Sequence, residues 1–390
     1  MKKMKISLLG LVAMAIGLGV LFGQFLPVAV ARIFVTFTSL FGNFLSFSIP
    51  LIILGLVTPA IGELGKGAGK LLAVTALLAY GSTIFSGFFT FFSASAIFPQ
   101  ILPQAALPAP ENPEHQMLTT YFTVGMPPLM NIMTALLLSF VLGLGLSAIR
   151  GTTLQNGFTD FRDIVTKLIE NVIIPLLPLH IFGIFLNITL SGQIVGILSM
   201  FIKVILVIFI LHILLLLIQF SIAGLTSRRN PLILLKNMLP AYATALGTQS
   251  SAATIPVTLK QTLKNGVKET VAVFVIPLCA TIHLAGSTMK IVACAMAIMY
   301  MTGQPVTAGG YGGFITMLGI TMVAAPGVPG GAIMAALGLL SGMLGFDETL
   351  QALMIALYIA MDSLGTACNV TGDGAIAVII DKIAPSFMRR

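Results

Sequence analysis

Residues 361–380 read MDSLGTACNVTGDGAIAVII, an apolar stretch that carries Asp362, Thr366, Asn369 and Asp373 at spacings of four, three and four. On a helix with 3.6 residues per turn, this spacing puts two carboxylates, an amide and a hydroxyl on one face. About 20 residues cross the hydrocarbon core of a bilayer, and an ionisable group there is costly unless it binds a ligand or faces a water-filled cavity. The stretch therefore predicts a membrane helix with a functional polar face, although such a face can also serve only to hold helices together.

The composition is that of an integral membrane protein. Of 390 residues, 57% are hydrophobic and 8% are charged, and the mean hydropathy is +1.05. The net charge of +8 comes from basic residues that cluster in short connections on one side of the alternating apolar spans. The positive-inside rule makes that side cytoplasmic. The charge therefore predicts a multi-pass protein of the inner (cytoplasmic) membrane with both termini in the cytoplasm, in contact with lipid and not with nucleic acid.

Hydrophobic runs predict an all-α polytopic membrane protein with eight spanning helices and two re-entrant hairpins. The first six spans are expected at about 6–31, 34–62, 71–99, 117–149, 164–190 and 193–224. After them, residues 231–263 and 308–345 each form two short apolar halves, separated by a break rich in Gly and Ser or Gly and Pro. A long helix at about 267–299, interrupted at 283–288, follows the first hairpin, and the 361–380 stretch follows the second. The two hairpins enter from opposite sides, and such an inverted repeat of broken segments is typical of a transporter's binding site at the midplane.

The residue types at these breaks suggest a solute site. The tip Ser250–Thr254 offers hydroxyls and free N–H groups at the start of a half-helix, which attract a carboxylate. Asp362 or Asp373 could pair with an ammonium group, and Asp373, Asn369 and opened backbone carbonyls could ligate a small hard cation such as sodium. His283 either accepts a proton near neutral pH or only hydrogen-bonds a carbonyl.

Lys290 lies two turns after His283 in the interrupted helix. We interpret it as a charge partner or as a side chain that reaches outward to the membrane surface. A role for Lys290 in substrate specificity is the less favoured alternative.

These residues, in this order, resemble the dicarboxylate/amino acid:cation symporter family, the glutamate transporter homologues, over nearly the whole chain. Ser250–Pro256 is similar to the serine-rich tip of the family's first hairpin, and Gly327–Gly330 to the tip of the second, which acts as the extracellular gate. The resemblance implies substrate-binding roles for Ser250, Ser251, Ala252, Thr288, Gly327, Val328, Pro329, Gly330, Asp362, Gly365, Thr366 and Asn369. It implies cation-binding roles for Asp373, Asn369, His283, Tyr80 and Thr83, with Asp373 and Asn369 as ligands of any Na⁺ that is retained. No cofactor is expected apart from this coupling ion.

The resemblance also implies a homotrimer that works by an elevator movement. Residues 1–70 and 117–190 would supply the scaffold helices 1–2 and 4–5. Residues 71–99 would be helix 3 of the transport domain. Residues 193–390 would be its core, with helix 6, hairpin 1, helix 7, hairpin 2 and helix 8.

Two departures from the family pattern bear on substrate and ion. Carriers of acidic amino acids place an arginine one turn after the substrate-binding aspartate, where this chain has Gly365. Without a guanidinium, a side-chain carboxylate lacks its bidentate partner. Neutral amino acids are therefore the favoured substrates, and Gly365 would leave room for a bulkier substrate side chain. Gln249 keeps the alternative of acidic amino acids or dicarboxylates with Na⁺ open.

The second departure is in the interrupted helix, where the family's Asn-Met-Asp-Gly-Thr is replaced by His283–Ser287. Ala285 takes the position of a sodium-ligating aspartate, and the loss of a carboxylate weakens an oxygen cage for a desolvated cation. We therefore expect coupling to fewer sodium ions than in the relatives, or to protons through His283.

Two other classes of protein are weaker alternatives. An intramembrane aspartyl protease would need the Asp362 and Asp373 carboxylates within about 3 Å. Eleven residues of helix separate them by about 16 Å. A channel would favour rings of repeated groups along an open pore, whereas these polar residues converge on one enclosed site. The sequence therefore predicts a secondary active symporter, not an enzyme.

Overall fold

The computed structural model describes residues 8–65, 70–102, 118–130, 132–190, 192, 194–325 and 330–383. Throughout these residues, every regular element is helical. The helices are α1 (Leu8–Phe22), α2 (Val28–Gly65), α3 (Lys70–Ile101), α4 (Ile132–Ala148), α5 (Thr153–Leu168), α6 (Ile174–Leu190), α7 (Ile194–Ser227), α8 (Pro231–Thr248), α9 (Ser251–Lys264), α10 (Glu269–Ile282), α11 (Ala285–Met301), α12 (Ala308–Val323), α13 (Gly331–Leu344), α14 (Glu348–Ala360) and α15 (Asp362–Ile383). A π-helical turn, Ile169–Ile173, joins α5 to α6.

Six helical stretches in the described part of the chain are long and apolar enough to cross a membrane. They are Val28–Pro59, Leu71–Ile101, Thr153–Leu190, Ile197–Ser227, Glu269–Met301 and Asp362–Ile383. Shorter apolar helices accompany them in α1, α4, α12, α13 and α14. The predicted all-helical polytopic architecture is confirmed at this level, and the count of eight spans remains a prediction.

The predicted fourth span, 117–149, is wrong in its first half. Residues 118–130 form no regular helix, and α4 begins only at Ile132. Two consecutive prolines, Pro127 and Pro128, lie in this segment, and each lacks the N–H group that a helix interior requires. A hydropathy pattern registers the apolar residues around them but not the missing donors.

The predicted breaks fall where the chain interrupts its helices. His283 and Leu284 separate α10 from α11 with non-helical backbone angles, so the predicted interruption begins at the right residue. It is shorter than the predicted 283–288, because residues 285–288 already belong to α11. At the first hairpin only Gln249 and Ser250 lie outside α8 and α9, so this break is shorter than expected. Met361 separates α14 from α15 and sets the carboxylate of Asp362 at the first residue of the last helix.

The helices pack in two groups that meet along limited contacts. α1, α2, α4, α5 and α6 lie mainly against one another, whereas α3 and the helices from α7 onward lie mainly against one another. Within the second group α15 is central, because it contacts α7, α8, α9, α10 and α11. Within α15, 83% of its apolar 18-residue stretch is buried inside the protein, against 28% of the corresponding stretch of α3. The polar face of α15 is therefore turned into the protein, away from lipid.

The crossing of α11 over α15 depends on Gly286, and this gives a stability prediction. A Cβ atom on Gly286 would lie 2.7 Å from the carbonyl oxygen of Gly365 and 2.7 Å from Cβ of Cys368. Because the carbonyl belongs to the helix backbone, Gly286→Ala is expected to destabilise the protein by about 1–3 kcal/mol. The measurement is the melting temperature in detergent.

Gly81→Ala on α3 is the matched control, since no atom lies within 4 Å of its added Cβ. We expect it to be neutral or slightly stabilising, because alanine favours a helix over glycine by about 0.8–1 kcal/mol. Equal melting temperatures for the two variants would refute the close contact at Gly286.

Candidate functional site

A small polar cavity lies where the helix breaks meet the first turns of α15. Its lining residues are Gln249, Ser251, Ala280, Thr281, Leu284, Ser287, Ala325, Ala332, Tyr358, Asp362, Thr366 and Asn369. Its volume of about 20 Å³ corresponds to roughly one water molecule. The conformation is therefore a closed one, in which a larger solute would need the surrounding elements to move apart.

Asp362 is engaged through both of its carboxylate oxygens. Oδ1 lies 3.1 Å from Nζ of Lys290, and Oδ2 accepts a hydrogen bond of 2.8 Å from the backbone N–H of Gly330. Gly330 has φ of +75°, which a glycine adopts without strain, and it immediately precedes α13. The carboxylate thus joins α11, α13 and α15 at one point.

Lys290 is completely buried, with 0% of its surface exposed. Besides Asp362, its ammonium donates to the carbonyl oxygen of Met361 at 3.3 Å and lies 3.6 Å from the ring centroid of Tyr358. The prediction that Lys290 is a charge partner is confirmed by this ion pair. The alternative of an outward-reaching side chain is wrong, because the side chain runs inward between α11 and α15.

The stem of Lys290 fills the space beside Gly365. A Cβ atom on Gly365 would overlap Cε of Lys290 and lie 2.6 Å from its Nζ. Gly365 was predicted to leave room for a bulkier substrate side chain. In this conformation the side chain of Lys290 fills that space. No pattern in the sequence indicated this contact, because it joins residues that are distant along the chain.

Asn369 caps the start of α11. Its Oδ1 accepts from the backbone N–H of Gly286 at 2.8 Å and of Ser287 at 3.3 Å, and its Nδ2 donates to Oγ of Ser287 at 3.0 Å. Tyr358 also donates its hydroxyl to Ser287, and Thr366 donates to the backbone carbonyl of Asp362. In this conformation the Asn369 amide is therefore occupied by α11, although Asn369 lines the cavity as predicted.

A second buried pair joins His283 to Asp373. Nδ1 of His283 lies 2.9 Å from Oδ1 of Asp373, and its Nε2 lies 3.0 Å from Oγ of Ser82 on α3. Gln219 of α7 in turn donates to Ser82. Oδ2 of Asp373 is fully buried and has no hydrogen-bond partner among the described residues. An unsatisfied carboxylate oxygen beside an imidazole can take up a proton or a cation.

Tyr80 and Thr83, the two residues of α3 predicted to bind the cation, make their hydrogen bonds away from the His283–Asp373 pair. The hydroxyl of Tyr80 points to the carbonyl of Thr316, and that of Thr83 to the carbonyl of Ala79 in its own helix. Ser82 and Ser86 provide the polar contacts instead, to His283 and to the carbonyl of Ala285 respectively. Sequence reasoning missed both serines, whose spacing of four on one helix face was the available signal.

A sodium cage is only partly supported by these positions. Asp373 offers one free oxygen, but both acceptor positions of the Asn369 amide oxygen are used by backbone N–H groups. Ala285 offers no side-chain oxygen. Of the predicted ligands, the described contacts thus leave Asp373 as the one with an unsatisfied oxygen, and His283 is bound to its other oxygen.

The predicted substrate residues of the hairpins are placed unevenly. Ser250 accepts from the N–H of Ala253 and caps α9, Ser251 lines the cavity, and Ala252 is exposed. Thr288 faces α3, because a Cβ on Gly87 would lie 3.3 Å from its Cγ2. Gly327, Val328 and Pro329 lie outside the described residues.

Gln249 lies at the cavity and has an unusual backbone conformation. It lines the cavity and adopts φ of +54°, a left-handed conformation that is uncommon for a residue with a side chain. Such strained residues concentrate at ligand sites. The polar contribution that the sequence suggested for Gln249 remains a prediction.

Comparison with known proteins fits this geometry. A statistical model of the sodium:dicarboxylate symporter family matches residues 8–383. The chain belongs to this family. The excitatory amino acid transporter 1 of Rattus norvegicus is 30% identical over 246 residues, which cover 60% of this chain and 44% of that protein. The excitatory amino acid transporter 2 of Homo sapiens is 28% identical over 239 residues, covering 58% and 40% respectively.

A relative named for a different substrate also matches. The neutral amino acid transporter A of Bos taurus is 28% identical over 165 residues, covering 42% of this chain and 31% of that protein. The aligned parts span less than half the length of these relatives. Membership in the sodium:dicarboxylate symporter family confirms the resemblance read from the hairpin tips and α15. It is a family of transporters, which removes the protease alternative.

Proposed function

We propose that the chain is a secondary active symporter of the inner membrane, which moves a small amino acid or dicarboxylate by alternating access together with a cation. The observation that carries the proposal is the inward polar face of α15. It holds Asp362 and Asp373 buried against the broken helices, with 5% and 0% of their surfaces exposed. Buried carboxylates in a membrane helix are costly unless they serve ligand or ion binding.

The two packing groups support an elevator arrangement. The group of α1, α2 and α4 to α6 would form the scaffold and the trimer interface. The group of α3 and α7 to α15 would move with the substrate as the transport domain. The limited contacts between the groups favour this division, since a sliding interface must exchange its contacts during the movement.

The coupling ion is a proton, or fewer sodium ions than the relatives use. The imidazole of His283 lies on Oδ1 of Asp373, where a carboxylate would otherwise be free to ligate a cation. The remaining oxygen, Oδ2, is the site for a proton or for one sodium ion. The Gln219–Ser82–His283 contacts hold the imidazole in a fixed orientation, which a proton acceptor requires.

Uptake by purified protein in proteoliposomes tests the coupling. We expect accumulation of labelled substrate to be driven by an inward proton gradient alone, or by a sodium gradient with no more than one sodium ion per substrate. The substrate panel is succinate, L-aspartate, propionate and L-alanine. Uptake that requires several sodium ions per substrate would refute the reduced coupling. Saturable counterflow excludes a channel, because a passive pore does not exchange solute against its own gradient.

The contacts around Gly365 bear on whether the substrate carries a neutral or an acidic side chain. The preference for neutral amino acids, predicted from Gly365, presumes an uncharged wall at that position. The ammonium of Lys290 lies directly beside Gly365, behind the cavity lining and paired with Asp362, so this wall is not free of charged groups. Gln249, whose side chain is an amide, also lines the cavity. These contacts weigh on the side of the dicarboxylate alternative.

A further inference from the structure

The surroundings of the Lys290 ammonium have the composition of an ammonium-binding site. A carboxylate oxygen of Asp362, the carbonyl oxygen of Met361 and the face of Tyr358 lie 3.1, 3.3 and 3.6 Å from Nζ. An ammonium has three N–H donors, and these three groups provide one partner for each. Carboxylates, carbonyls and aromatic faces are also the groups that recognise a ligand's ammonium. The ammonium-binding site is therefore fully occupied, and the ammonium that fills it is that of Lys290.

The groups of Asp362, Met361 and Tyr358 that surround the Lys290 ammonium form a cage, and this cage lies next to the cavity. Asp362 and Tyr358 both line the cavity, whereas Lys290 lies behind them and is not exposed to it. An amino group of a solute in the cavity would meet Asp362 while that carboxylate is already paired with Lys290. It would then bring a second buried positive charge next to the first, with one carboxylate between them. A solute without an amino group meets no such repulsion.

The glycine at position 365 makes the arrangement possible. Any side chain there would overlap the stem of Lys290 and displace Nζ from Asp362. The residue that distinguishes this chain from carriers of acidic amino acids is thus the one that admits the lysine. Positions 365 and 290 are therefore coupled, because the lysine reaches Asp362 only when position 365 is a glycine.

We infer that Lys290 is a tethered ammonium that takes the place of the substrate's amino group. The substrate is a small carboxylate that carries no amino group. This inference rests on the proposed transport function and specifies its substrate class. Lys290 is then the residue that determines specificity, because it neutralises Asp362 permanently and leaves only the carboxylate of the solute to be recognised.

Matched pairs of solutes test the inference on the unmodified protein. Succinate and L-aspartate differ by one amino group, as do propionate and L-alanine. We expect the member without the amino group to be bound at least tenfold more tightly in each pair that binds, measured by competition for uptake and by thermal shift. Tighter binding of L-aspartate or L-alanine would overturn the inference while leaving the symporter proposal intact. If none of the four is bound or transported, the symporter proposal itself fails.

Lys290→Met removes the ammonium and keeps the length of the stem. It exposes the charge of Asp362 to the cavity, so the amino-acid member of each pair should gain at least tenfold relative to its partner. A purely structural ion pair predicts instead that all solutes weaken to the same degree, and that outcome would overturn the specificity role. Lys203→Met on α7 is the control, because its ammonium donates to the carbonyl of Ile101 away from the cavity. It should leave the order of affinities unchanged.

Chemical rescue covers the case in which Lys290→Met does not fold. Lys290→Ala, purified with and without methylammonium, should regain succinate binding when the free cation fills the vacated cage. Failure of methylammonium to restore succinate binding, in folded protein, would contradict the tethered-ammonium role. If both variants fail to fold, the affinity order of the unmodified protein decides the inference.

Discussion

Asp362→Asn is expected to lower the stability of the purified protein by about 3–5 kcal/mol, because it leaves the Lys290 ammonium buried without its charge partner. The asparagine keeps the shape of the aspartate and can still accept from the N–H of Gly330. The loss therefore reports on charge and not on packing. The measurement is the melting temperature in detergent, and size-exclusion chromatography checks that the variant elutes like the unmodified protein.

The double variant Asp362→Asn/Lys290→Met separates pairing from burial. Removing both charges eliminates the desolvation cost together with the attraction, so the double variant should be markedly more stable than Asp362→Asn alone. Strict additivity of the two single effects would show that the two side chains are not coupled. Lys203→Met combined with Asp362→Asn is the matched control and should be additive.

Asp373→Asn is expected to abolish gradient-driven accumulation while exchange of substrate across the membrane persists. Removing the carboxylate that compensates a buried cation costs about 3–5 kcal/mol, and each 1.4 kcal/mol is a factor of ten. Affinity for the coupling cation should therefore fall by at least about 100-fold. Proteoliposomes report both quantities, accumulation under a proton or sodium gradient and counterflow without a gradient.

Ser82→Ala provides the comparison for this effect. It removes the hydroxyl 3.0 Å from Nε2 of His283 but leaves the contact of Nδ1 with Asp373 intact. A single hydrogen bond contributes about 0.5–1.5 kcal/mol, so coupling should weaken by no more than roughly tenfold. Accumulation that survives Asp373→Asn unchanged would remove Asp373 from the coupling site.

Sequence patterns located the elements of the site because those elements follow local rules. The spacing along α15 predicted that Asp362, Thr366, Asn369 and Asp373 share a face, and all four are buried in the structure. The polar interruption at His283 predicted a helix break, because its residues cannot all continue an apolar helix at membrane depth. Hydropathy gave the spans predicted at 71–99, 193–224 and 361–380 to within about three residues. The span predicted at 6–31 is wrong at its end, because α1 stops at Phe22, and the one predicted at 164–190 begins earlier, at Thr153.

The contacts that define specificity could not be predicted in the same way. Lys290 reaches Asp362 only because α11 crosses α15 beside Gly365, and helix crossing depends on the shapes of both surfaces. Gly365 therefore suggested an empty space when considered alone. The same limit hid Ser82, whose role depends on the position of α3 relative to α10. Local periodicity fixes which residues share a face, and packing decides what that face meets.

The interlock of Lys290 with Gly365 also constrains the order in which such a chain could have arisen by mutation. In a chain with a bulky side chain at position 365, a lysine at 290 would have no room to extend and would be a buried, uncompensated cation. Such a chain could acquire the lysine only after, or together with, a change of position 365 to glycine.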